Sequence, residues 1–358
     1  MVGTRSKRVL AVAALLAGCA ADNFVVGDGG SPDGDGGNDA WAQDTGMGDG
    51  PAATDGPALC GGAVCNGACV GGTRCLLTAN VKDVSCLAVD ANYVYYAAKD
   101  AMGRVPKVGG APQGSTLGNA AFAGCTQVSN QFFAADSGGG RIVSLSKGNP
   151  TGGLATITSS QAGVTSLAVP VAPQLVWNIA GDLLRTCDYG ACGAGMNLVT
   201  GVQQPTQIAA DGNWVFFGTS GVSPALYRVS RSGGSPSAIV SLPAMATVVS
   251  LASPEGSADL FFTTATGFVY VVPKTGNAPL LLGNGKAPTS VRADLSNAFW
   301  VDRDSAGTVT RAPRNATGSP TNLLSAVDTP TALEIDGPPD TGFVYYAAKD
   351  GIWRVPKQ

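Results

Sequence analysis

The segment Val94-Tyr-Tyr-Ala-Ala-Lys-Asp100 recurs unchanged as Val344-Tyr-Tyr-Ala-Ala-Lys-Asp350. Each copy is followed by a second match, Arg104-Val-Pro-Lys107 and Arg354-Val-Pro-Lys357. Identity over such a length does not arise by chance within one chain. The chain is therefore built from a repeated unit, and the residues between the copies are expected to be more diverged examples of it.

The unit reads as an apolar strand ending near Asp, a turn, and a strand with an aromatic pair. A Gly-containing turn, a strand ending in a basic residue and a last apolar strand follow. First strands align as Leu87-Ala-Val-Asp90, Thr126-Gln-Val-Ser129, Leu167-Ala-Val-Pro170, Ile208-Ala-Ala-Asp211, Leu251-Ala-Ser-Pro254, Val291-Arg-Ala-Asp294 and Leu333-Glu-Ile-Asp336. Behind them stand Tyr95-Tyr96, Phe132-Phe133, Trp177, Phe216-Phe217, Phe261-Phe262, Phe299-Trp300 and Tyr345-Tyr346. Seven copies of four short strands, each too small for its own core, predict an all-β, seven-bladed β-propeller. One aromatic of each pair is expected to fill the wedge between neighbouring blades. Gly and Pro interrupt every window long enough for a helix, which excludes a helical solenoid. The last copy stops after its third strand. Residues 73–79 are expected to supply the fourth, since Cys75-Leu-Leu-Thr78 precedes Leu87 as Asn322-Leu-Leu-Ser325 precedes Leu333; without it the ring keeps a bare edge.

The aromatic pair, the first-turn Asp and the Arg-Val-Pro-Lys strand resemble bacterial YWTD/NHL-like propeller repeats over residues 73–358. The resemblance implies a fold rather than an activity, because propellers host both binding and catalysis.

The N-terminus reads as an address. Arg5, Lys7 and Arg8 precede the apolar run from Val9 to Ala17, too short to span a bilayer, and Leu16-Ala17-Gly18-Cys19 resembles a bacterial lipobox. Residues 1–18 are expected to be a lipoprotein signal peptide, with Cys19 the lipidated residue and the protein's membrane attachment. Residues 19–57 form a tether. The stretch 22–56 holds eight Asp, many Gly and no Lys or Arg, a composition that predicts an extended, disordered spacer. Asp33, Asp35 and Asp39 have calcium-loop spacing but lack the closing acid of an EF-hand. Such spacers resemble those of myxobacterial surface lipoproteins, and Ala20 after Cys19 favours the outer membrane or cell surface over the inner membrane.

Excluding Cys19, eight cysteines remain, an even number for an exported chain. Cys187 and Cys192 flank a turn of the third copy and are expected to bridge it; Cys86 and Cys125 hold equivalent places in adjacent copies and are expected to bridge them. Cys60, Cys65, Cys69 and Cys75 mark a Cys-rich segment (58–75) before the propeller (76–358) and are expected to form two disulfides of open pairing. Their spacing is not that of a zinc ribbon.

The chain contains no His. This removes His general bases, Ser-His-Asp triads and His metal ligands. The repeat resembles that of streptogramin lyase, whose catalytic His has no counterpart here. No cofactor is implied. Without signal and tether the chain carries 19 basic and 17 acidic side chains and no basic block interleaved with aromatics, which argues against nucleic acid.

Two charge patterns remain. Third strands end in Lys107, Lys147, Arg231, Lys274, Arg314 and Lys357, with Asp188 breaking the series. These cations either form an anion-binding rim for acidic polysaccharide or, the better reading, pair with first-turn Asp90, Asp211, Asp294 and Asp336. On the opposite face, the turns between second and third strands gather Lys99, Asp100, Asp302, Arg303, Asp304, Lys349 and Asp350 in consecutive blades six, seven and one. Loops on a rigid scaffold suit recognition, although a solvated rim is the plainer reading of these charges. The reading is thus a monomeric envelope lipoprotein whose propeller binds a protein or glycan partner without catalysis. Its alternatives are a lactonase- or lyase-like enzyme with a carboxylate-held metal in the channel, for which no matching ligand set is found, and a structural scaffold; Glu334 is expected to face the channel as a solvated carboxylate.

Overall fold

Twenty-eight strands and no helix make up the described residues of a computed structural model. It describes residues 74–358 apart from Asn80, Gly181, Asp182, Ser305 and Asp340. The signal, the tether, and Cys19, Cys60, Cys65 and Cys69 lie outside the described residues. The strands form seven four-stranded antiparallel sheets. These are blades 1 to 6, at 84–116, 122–158, 167–200, 205–241, 248–284 and 288–327, and blade 7, at 332–356 plus Cys75–Thr78. In each blade the first strand is innermost, and residues from all seven first strands line one central channel. One face of the disc therefore carries the turns after first and third strands, and the other carries the turns after second strands.

The ring closes as the repeat requires. Strand Cys75–Thr78 pairs with strand Gly351–Pro356, Cys75 opposite Arg354, Leu76 opposite Trp353 and Thr78 opposite Ile352. Cys75 thus belongs to the propeller sheet as well as to the Cys-rich segment, and it is disulfide-bonded. The pairing covers the edge that blade 7 would otherwise expose and buries Leu77 against Val81, Tyr96 and Ile352.

Seven apolar clusters fill the seven wedges between blades, and the aromatic pairs build them by splitting. Tyr95 packs toward blade 2 while Tyr96 packs toward blade 7. Phe299 meets Tyr346, and Trp300 meets Phe261. Successive strand residues point to opposite faces, so one pair serves two wedges. Both members are needed, where the sequence argument required one. Blades 2 and 3 depart from this frame. By sheet register Phe133, opposite Ser144, matches Tyr95 opposite Arg104, so the Phe132-Phe133 pair stands one residue early. In blade 3, Val176 opposite Thr186 takes the Tyr95 place.

Both predicted bridges form: Cys86–Cys125 joins the inner strands of blades 1 and 2, and Cys187–Cys192 spans the turn after the third strand of blade 3.

Candidate functional site

Five of the six rim cations are structural clasps between blades. Lys107 of blade 1 pairs with Asp336 of blade 7. Lys274 reaches Asp211 of blade 4 and Lys357 reaches Asp294 of blade 6, each at 2.9 Å. Each cation also lies over the preceding blade's aromatic: Lys107 over Tyr345 at 5.4 Å, Lys357 over Phe299 at 5.7 Å. The Asp is held from several sides. Asp336 accepts the Tyr345 hydroxyl at 2.7 Å and the Phe343 N–H at 3.0 Å. Burial alone would push its carboxyl up, but Lys107 and these donors outweigh it and hold the pKa below the ordinary value. The same balance lowers Asp90 and Asp211. Lys147 is the loosest member: Asp90 lies 3.9 Å away, and burial depresses the ammonium more than that carboxylate supports it.

Two parts of this device escaped the sequence. Arg314 pairs at 2.6 Å with Asp259, at the start of a second strand, because Pro254 occupies the first-turn place in blade 5. The Arg of Arg-Val-Pro-Lys has its own task, donating to the backbone carbonyl of the next blade's cation. Arg354 reaches the Lys107 carbonyl at 2.7 Å and Arg311 the Lys357 carbonyl at 2.9 Å.

Blade 3 breaks the series at a different residue than expected. Tyr189, whose N–H bonds the Pro173 carbonyl as that of Lys107 bonds Asn92, stands in the cation's place. Asp188 is its neighbour. Tyr189 packs on Phe133 of blade 2 at 5.1 Å, so an aromatic contact replaces the ion pair.

The charged turns of blades 6, 7 and 1 divide into struts and exposed groups. Asp302 is buried and accepts the Lys286 and Ala287 N–H groups at 2.7 and 2.5 Å, fastening the loop that enters its blade. Asp136 and Asn178 do the same in blades 2 and 3. Asp350 accepts the Trp353 indole N–H at 2.9 Å. Asp100 is its counterpart, but Gly103 stands where blade 7 has Trp353, and its buried Oδ1 has no donor. Asp304 pairs with Lys286 at 2.5 Å. Lys99, Arg303 and Lys349 are exposed, Lys349 with Asp328 at 3.8 Å.

In the channel Glu334 is bound to Arg292 at 2.9 Å, and Arg292 also donates to the Val291 carbonyl. The carboxylate expected to be solvated in the channel is instead paired with a guanidinium. Among the described residues no three His, Cys, Asp or Glu side chains gather as metal ligands.

No protein-family model matches the chain, and no curated protein matches its sequence. Solved structures match in fold. Virginiamycin B lyase from Staphylococcus aureus is 13% identical with a TM-score of 0.65, covering 79% of this chain and 98% of its own. A catalytically inactive histidine-to-alanine form of that lyase, with quinupristin, matches at 14% and 0.64 over the same shares. A chain of the nidogen/laminin complex matches at 13% and 0.55, covering 66% of this chain and 93% of its own. At such identities the likeness shows the β-propeller and nothing about chemistry.

Proposed function

We propose that this chain is a lipid-anchored display module of a bacterial envelope, attached through Cys19, whose propeller binds a protein or glycan partner without catalysis. The observation that carries the reading is the placement of Lys99, Arg303 and Lys349. They are exposed on consecutive blades at one face, on turns whose neighbouring Asp302 and Asp350 are tied into the frame. Fixed turns presenting exposed cations form a preorganised surface, which lowers the ordering cost of association. Two facts weigh against chemistry in the channel: Glu334 is held by Arg292, and the chain has no His to act as a general base. A protein complex built on the same fold, that of nidogen and laminin, is a precedent for the fold as a docking platform.

The test is capture of partners from detergent-solubilised envelopes with the full chain and with the Lys99→Glu, Arg303→Glu, Lys349→Glu variant. The variant is expected to lose the partner while its stability changes by no more than about 0.5 kcal/mol, as for exposed charges elsewhere. Equal capture by both proteins refutes this surface.

A further inference from the structure

Among the described residues, Arg231 is the one rim cation of the six that joins no ion pair. Its blade presents it in register, its N–H bonding the Asn213 carbonyl as in the other blades. What is missing is the receptor on blade 3. Pro170 replaces the first-turn Asp, and Val176 replaces the aromatic over which the cation would lie. The side chain is therefore exposed. Gln174 takes over the backbone link, donating to the Arg231 carbonyl at 2.7 Å, while its Oε1 is left without a donor.

The lost clasp leaves space. A cleft of about 860 Å³ opens between the turns of blades 3 and 4, within the size range of small-molecule sites. Cys187–Cys192 fixes one wall. Gly195 lets that wall close over the blade: its φ is +74°, and a Cβ there would lie 2.5 Å from the Trp177 ring. Asp188 stands on this wall, exposed and, among the described residues, in no ion pair. On the other side Trp214 is 37% exposed, with Arg228 over its ring at 4.8 Å. Ser232 and Asn213 add a hydroxyl and an amide.

We propose that this cleft binds an acidic oligosaccharide. Arg231 supplies a planar guanidinium for a uronate carboxylate, a bidentate match. Trp214 offers an apolar ring surface to the C–H face of a sugar, as amphipathic aromatics do where one side of a ligand is apolar and its edge polar. Asp188 accepts from ring hydroxyls, which an acidic peptide lacks. A neutral sugar leaves Arg231 unmatched. The cleft lies on the face opposite Lys99, Arg303 and Lys349, so this site and the partner surface stand or fall separately.

Calorimetric titration of the full chain with trigalacturonic acid, maltotriose and triglutamate tests the proposal. Trigalacturonic acid is expected to bind one-to-one in the millimolar range or tighter, with both other probes weaker by about tenfold or more, since each lacks one of the matched contacts. Arg231→Gln is expected to weaken trigalacturonic acid binding by about tenfold or more and to remove its salt dependence. Trp214→Ala is expected to weaken it comparably, and the Lys99→Glu, Arg303→Glu, Lys349→Glu variant to bind as the parent does. Should Trp214→Ala fail to fold, Arg231→Gln still decides, because that side chain is exposed and unpaired. Absence of saturable binding, binding unchanged in Arg231→Gln, or triglutamate binding as well as the uronate each overturns the proposal, the last in favour of a peptide site.

Discussion

Asp336, Tyr345 and Lys107 show what one repeat position contributes. The carboxylate is charged, half-buried and satisfied by three donors, so neutralising it leaves a half-buried ammonium without its counter-ion. Asp336→Asn is expected to cost about 1.5–3 kcal/mol at neutral pH in thermal or urea unfolding, the range for a hydrogen bond to a charged group. The pH dependence follows in sign. Asp90, Asp136, Asp211 and Asp336 all have carboxyl pKa values below the ordinary one in the folded chain. Their contribution is complete above the unfolded carboxylate pKa of about 4 and is lost as pH falls through the lower folded values. Unfolding midpoints should therefore drop below about pH 4, and Asp336→Asn should drop less steeply there than the parent. The sequence showed the cations and most of their acids because both recur at fixed offsets. It could not show that Tyr189 rather than Asp188 replaces a cation, since that depends on which backbone N–H meets the Pro173 carbonyl. Nor could it show Arg231 to be unpaired, because its missing receptors, Pro170 and Val176, lie about 60 residues upstream and become neighbours only in the closed ring. Pro170→Asp with Val176→Tyr should supply both, draw Arg231 back over the aromatic, raise stability and abolish trigalacturonate binding; unchanged unfolding and binding would mean that the cleft has another cause.

At the scale of strands and links, the two bridges differ in what they constrain. Cys86–Cys125 closes a loop with a sequence separation of 39 and Cys187–Cys192 one of 5. By chain entropy the first is worth about 4 kcal/mol and the second about 2 kcal/mol. Replacing Cys86 and Cys125 by Ser should consequently cost more in unfolding free energy than replacing Cys187 and Cys192. The shorter bridge has the local task, holding the cleft wall that carries Asp188. Strand positions were legible throughout, because alternation and Gly/Pro punctuation are local signals. The one-residue displacement of Phe132-Phe133 was not. An aromatic one place early still alternates correctly along its own strand, and only pairing with the next strand reveals which wedge it enters.

For the molecule as a whole, the decisive contact joins the two ends of the propeller sequence. Strand Cys75–Thr78 completes blade 7, and Arg74 lies over the Trp353 ring at 4.6 Å. That closure was legible because blade 7 lacked a fourth strand and a matching Leu-Leu segment preceded blade 1. The proposed lipid attachment and binding partner depend on surfaces and residues whose chemistry a repeat does not encode. Removing residues 20–57, whose Asp/Gly-rich composition offers little to bury, should leave the unfolding midpoint of the propeller unchanged. Removing residues 20–78 should act differently. It takes Leu77 out of the wedge between blades 7 and 1, strips the hydrogen-bond partners of strand Gly351–Pro356 and exposes that strand as an edge. Loss of the buried Leu77 and the partly buried Leu76 amounts to about 2–4 kcal/mol, a large share of the stability of many domains. The longer deletion should therefore melt far lower than the shorter one and associate through its bare edge, seen as a concentration-dependent increase in mass by light scattering. Equal midpoints, with both proteins monomeric, would mean that the ring holds without its N-terminal strand and that the seven wedge clusters suffice for closure.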